Sequence, residues 1–72
     1  MYSIDKANDG NAFSIMAYVK SAMQKNGMRD QISSYLEDAR SSHYTHLLAV
    51  SSQMCDQINA KLGLNSSDSD EE

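Results

Sequence analysis

The stretch YTHLLAVSSQMCDQINAKLG, residues 44–63, decides the fold. Tyr44, Leu47, Leu48, Ser51, Met54, Cys55, Ile58 and Leu62 recur three or four positions apart. On a helix of 3.6 residues per turn that spacing gathers them on one face, whereas no part of the stretch alternates with the period of two that a strand needs. The pattern stops at Gly63, where a helix often ends because glycine adopts positive φ without a Cβ clash. It predicts a long amphipathic helix, with Ser41 or Ser42 as its N-cap.

Two shorter patterns precede it. Ile32, Tyr35, Leu36 and Ala39 predict a second helix from about Arg29 or Asp30 to Arg40, too short to persist without packing. Ala12, Ile15, Met16, Val19, Ala22 and Met23 predict a first helix, capped by Asn11 and running to about Asn26 with Gly27 behind it. The chain has no proline. Connections of two to four residues make successive helices neighbours, so the expected fold is all-α: a helical hairpin plus a third helix over residues 9–63. Residues 1–8 are set apart as an N-terminal extension, and residues 64–72 as an acidic tail with nothing apolar to bury, expected to be disordered.

Charge divides the chain in the same place. Within residues 1–63, six acids (Asp5, Asp9, Asp30, Glu37, Asp38, Asp56) match six bases (Lys6, Lys20, Lys25, Arg29, Arg40, Lys61), so the net charge of −4 comes from Asp68, Asp70, Glu71 and Glu72. A neutral body offers little to nucleic acid, whose affinity comes largely from lysine and arginine neutralising phosphates. No segment approaches the ~20 apolar residues of a membrane span, and Met1–Gly10 lacks the basic and apolar regions of a signal peptide. A soluble protein of a reducing cytoplasm is expected.

A chain of 72 residues buries a thin core. Its single cysteine, Cys55, excludes an internal disulfide and reads as a small buried hydrophobe. Homo-oligomerisation or a partner is then the expected source of further burial. Catalytic signals are missing from the sequence: no nucleophile-elbow pattern, no phosphate-binding glycine loop and no H-E-x-x-H. His43 and His46 are spaced to share a helix face, with Glu37 and Asp38 across the turn, but the set is too weak to predict a metal. No cofactor is expected.

For contacts, tyrosine and methionine matter most. Tyr35 and Tyr44 fall on core stripes, leaving Tyr18, beside Phe13 on the first helix, as an intermolecular contact, with Met28 as the methionine left outside the stripes. The tail acids Asp68, Asp70, Glu71 and Glu72 either occupy a basic groove on another protein or simply solubilise the chain.

The segments Gly10-Asn11-Ala12-Phe13-Ser14-Ile15-Met16 and Ser41-Ser42-His43-Tyr44-Thr45-His46-Leu47-Leu48 carry a resemblance. The chain resembles a family of short uncharacterised proteins of bacteriophages, prophages and bacteria, which pair a G-N-A-F-x-I-M/L helix with an S-G-D-Y-x-H-L-L segment. Gly10, Asn11, Ala12 and Phe13 match the first motif; Ser41, Tyr44, His46, Leu47 and Leu48 match the second, while Ser42 and His43 stand where glycine and aspartate are usual. The resemblance transfers no activity. Together with the small size and the missing catalytic signals, it makes a phage-type accessory protein of a bacterial host cell, acting by binding a host protein, the expected reading. The matched polar residues Asn11, Tyr44 and His46 either lock the junction of the first and third helices or line a small-ligand pocket, which in an oligomer would suit sequestration of a nucleotide signal.

Overall fold

The structure is a computed structural model and describes residues 1–63. Among these residues there are three α-helices and no strand: α1 (Ala12–Lys25), α2 (Ile32–Ala39) and α3 (Tyr44–Lys61), with 3-10 turns at Ile4–Lys6 and Arg29–Gln31. Each helix packs on the other two. None of them is long and apolar enough to cross a membrane.

Both ends of α1 follow from its sequence. Asn11 is extended, and its Oδ1 accepts the Phe13 N–H at 2.9 Å, satisfying one of the amides a helix start leaves free. At the other end Gly27 has φ +73, and the Met28 N–H returns to the Met23 carbonyl at 2.8 Å. This six-to-one bond is a Schellman closure, which normally brings the residue after the glycine into contact with the one donating the carbonyl. Met28 is accordingly 5% exposed beside fully buried Met23. Met28 was expected as an exposed contact; the closure makes it part of the core.

That closure also shapes the start of α2. Neither Met28 nor Gln31 offers a side-chain cap, and the chain tightens instead into the 3-10 turn, where the Gln31 N–H bonds the Met28 carbonyl at 3.0 Å. The α-helical part is therefore shorter than the periodicity predicts. The expected serine cap of α3 is also absent. Ser41 Oγ donates to the Asp38 carbonyl at 2.7 Å, finishing α2, while His43 holds the N-cap position of α3 with no side-chain bond.

The core gathers Ile15, Met16, Val19, Ala22 and Met23 of α1, Ile32, Tyr35 and Ala39 of α2, and Leu47, Cys55 and Ile58 of α3, with Met28 between. Two polar side chains of α3 are buried with them, Ser51 and Asn59, and both are bonded. Tyr35 Oη and Ser51 Oγ lie 2.6 Å apart, tying α2 to α3 through a water-excluded bond. Burial raises the Tyr35 phenol above its ordinary value, against the lowering effect of the Ser51 bond, and raises the Cys55 thiol from 9.0 to about 11, helped by neighbouring Asp56. Cys55 stays a neutral thiol at physiological pH, in keeping with its reading as a hydrophobe.

Two residues leave the face assigned to them. Tyr44, the first residue of α3, is 40% exposed and Leu62, at its C-cap, 44%, because at each end the packed neighbours have run out. Residues 1–8, expected outside the domain, differ too. Tyr2, Ser3, Ile4 and Ala7 are half-buried, and the turn Ile4–Lys6 packs against α1 and α3.

Candidate interaction surface

The start of α1 meets the α2–α3 connection, and the three helices leave an open trough of about 280 Å³. Ala12 and Met16 of α1, Ala39 at the end of α2 and Leu47 of α3 give it an apolar floor. Phe13 and Tyr44 form its aromatic rim, and Phe13, at 74%, is the most exposed large hydrophobic side chain among the described residues. The cause is rotational. Two residues before Ile15 on a 100° per residue helix, Phe13 points well away from the buried stripe. An exposed ring next to an apolar floor is the arrangement that binding surfaces use, since a ring so placed gains about 1.5–3 kcal/mol when it is covered.

The electrostatics of the trough are one-sided. Arg40 and His43 line it, and no carboxylate does. Arg40 Nε donates to the Leu36 carbonyl at 3.2 Å; among the described residues the one side-chain ion-pair contact is His46–Asp38, so the rest of the Arg40 guanidinium has no acid beside it. Planar guanidinium groups bind carboxylates in pairs of parallel bonds, and the rim therefore suits an acidic neighbour to the apolar group in the trough.

The residues singled out from sequence are distributed as follows. Phe13 is on this surface. Tyr18 is not: half-buried, its ring packs edge-on against Tyr2, with centroids 6.0 Å apart, and its hydroxyl accepts the Ser3 N–H at 3.0 Å, so the expected intermolecular contact is an intramolecular one. Met28 is in the core. Asp68, Asp70, Glu71 and Glu72 lie outside the described residues.

Asn11, Tyr44 and His46 do not share a pocket. Asn11 Oδ1 is taken up by the α1 cap, the Tyr44 hydroxyl donates to Asn8 Oδ1 at 3.1 Å, and His46 Nε2 lies 3.0 Å from Asp38 Oδ1 across the turn. The junction reading of the three is the one the geometry favours: Asn11 caps α1, Tyr44 ties the start of α3 to Asn8, and His46 ties the first turn of α3 to the last turn of α2. His43 and His46 also separate, one toward the trough and the other toward Asp38.

A larger groove, about 580 Å³, runs between α2 and α3. Its walls are mostly polar, with Gln31, Gln53, Gln57, Glu37 and Asp38 among them, over half-buried Val50 and Met54. Those polar groups are already well served by water, so covering them brings little net gain. The smaller, apolar trough is the better binding surface.

Arg40 and His43 were missed as parts of a surface because each is separated from Phe13 by about thirty residues. Nothing in their local sequence links them. Asn59 was missed with a signal present: Ser51, Cys55 and Asn59 step by four along the buried stripe of α3, and an amide at such a position implies a buried partner. No family model matches this chain, and no curated protein or solved structure does either.

Proposed function

We propose that this chain is a non-catalytic, phage-type interaction protein that binds a host protein through the Phe13 trough and blocks it, the target belonging to a nucleic-acid-directed defence or gene-expression machine. The exposed Phe13 ring beside an apolar floor, with Arg40 and His43 at the rim, is the observation that supports this reading. The occupant is a protein segment with an apolar side chain flanked by a carboxylate, the one filling the trough and the other meeting Arg40. The neutral described body fits a partner of this kind better than a phosphate backbone.

Sequestration of a nucleotide signal by an oligomer is the second reading. It drew on Asn11, Tyr44 and His46 as one polar group, and within the chain those side chains are committed to separate bonds.

Affinity capture from bacterial host lysate with the full chain, in parallel with Phe13→Ala and Arg40→Glu, tests the proposal. A stoichiometric host protein retained by the wild type and reduced at least tenfold by either substitution is expected. No such protein, or one retained equally by all three, overturns it. Both substitutions sit at exposed positions, so the variants remain folded.

A further inference from the structure

The later part of α1 and the end of α3 pack against the main chain of residues 2 and 3. Asn59, 4% exposed on α3, accepts the Tyr2 N–H on its Oδ1 at 2.7 Å and donates Nδ2 to the Tyr2 carbonyl at 2.8 Å. One buried amide thus pairs with both main-chain groups of a single residue, as a neighbouring strand would. Tyr18 Oη accepts the next amide, Ser3 N–H, at 3.0 Å, and Ser3 is extended with φ −154 and ψ 136. The Tyr2 ring meets Tyr18 edge-on, and its hydroxyl accepts from Asn26 Nδ2 at 3.4 Å.

These contacts define a ligand. The body supplies side chains; residues 1–7 supply main chain and one tyrosine ring. Asn59 imposes nothing on the side chain of residue 2, but the Tyr18 ring favours an aromatic there, with Asn26 Nδ2, whose main bond is to the Ala22 carbonyl at 2.7 Å, at the outer limit of a bond to its hydroxyl; the bond to Tyr18 needs an N–H at residue 3, which excludes proline. Residues 1–7 also hold themselves together: Lys6 N–H bonds the Ser3 carbonyl at 3.1 Å, Ala7 N–H the Ile4 carbonyl at 3.0 Å, and Lys6 Nζ the Met1 carbonyl at 2.9 Å. None of the seven is fully buried, although the amide that receives them is.

We propose that the α1–α3 cleft is a peptide-binding site for an extended segment bearing a tyrosine followed by a non-proline residue. Residues 1–7 occupy it in cis, and the same segment of a second copy occupies it in trans. The second copy is the occupant to expect because its segment makes every one of the same contacts, and exchange of an identical element is a low-cost route to association. The connection to α1 turns at Gly10, whose φ is +86, and exchange of the segment also requires the Asn8–Tyr44 and Asp9–Ser14 bonds beside it to break or to be remade in trans. This inference is independent of the Phe13 trough.

The probe is a synthetic peptide of residues 1–7, standing for the second copy's segment, added to the isotope-labelled full chain. A tethered segment has an effective concentration on the order of 1 mM, so free peptide at several millimolar competes with it whatever the intrinsic affinity. The Ser3 amide and Asn59 side-chain signals should split into a second, displaced set, and a peptide carrying Tyr2→Ala should leave them in place. Unmoved signals with the native peptide, or equal displacement by the altered one, overturn the proposal. A second arm uses the full chain with Tyr2→Ala, whose own segment is weakened: the dye-labelled native peptide should bind it at least tenfold more tightly than the wild type. Adding Asn59→Ala should remove that binding. Equal binding to the wild type and to the folded Tyr2→Ala chain overturns the proposal as well.

Discussion

Phe13 and Tyr18 stand five residues apart on one helix and have opposite fates. Phe13 projects into solvent at the start of α1, with an apolar floor beside it and nothing over it. Tyr18 is half-buried under residues 2 and 3, its ring against Tyr2 and its hydroxyl bonded to a main-chain amide. The helix is the same; what differs is whether another part of the chain arrives. One aromatic is therefore spent inside the fold, and the other stays exposed.

Tyr18→Ala should produce the larger effect. It removes the ring contact with Tyr2 and the acceptor for Ser3 N–H together, and truncating a half-buried ring costs about 1.5–3 kcal/mol. Urea denaturation should show the unfolding free energy falling by that amount. Exchange of the Tyr2 and Ser3 amides should accelerate, because the segment they belong to has lost half of its anchorage. A loss below about 0.5 kcal/mol would mean that the Tyr18 contacts contribute nothing to folding and that the two aromatics are equivalent in stability.

A second effect, confined to alkaline pH, separates the core from both aromatic regions, and its sign is fixed. Burial holds the Cys55 thiol at about 11 against an ordinary 9.0, and lifts Tyr35 in the same direction. Each group is raised in the folded chain, so its contribution is fully present below the unfolded value and is lost as pH rises through the folded one. Stability should hold from pH 7 to about 9 and then decline toward 11, as the unfolded chain releases protons that the folded one keeps. Cys55→Ala should flatten the early part of that decline, whatever it does to stability at neutral pH. A slope unchanged by the substitution would show that Cys55 is solvated. Phe13→Ala should leave the alkaline slope as it is.

The fold was legible because its signals are local. Apolar spacing gave three helices, Asn11 declared the start of α1, and Gly27 and Gly63, both at positive φ, marked two ends. What escaped was set by partners distant in sequence. Tyr2 meets Asn59 across 57 positions, and nothing near Tyr2 announces it. Tyr44 lies on the right stripe but at a helix end, where periodicity cannot say that the neighbours have stopped. Met28 is the instructive case, because its signal is local: an apolar residue directly after a C-terminal glycine cap frequently folds back onto the last turn of the helix, as Met28 does beside Met23. The trough depends on the angle at which the end of α2 meets the start of α1, which spacing along a chain does not encode.

The smallest effect on stability is the one that bears most on function. Phe13→Ala should change the unfolding free energy by no more than about 0.5 kcal/mol, since the ring is 74% exposed and gives up little when truncated. Alanine is also the better helix former, which offsets part of what is lost. If the midpoint stays in place while capture of the host protein is lost, the exposed ring acts in binding and not in folding. If the unfolding free energy falls by about 1 kcal/mol or more, the ring is covered in solution. With few apolar neighbours of its own to cover it, the cover would have to come from another molecule, and concentration dependence of the midpoint would identify that molecule as a second copy of the chain.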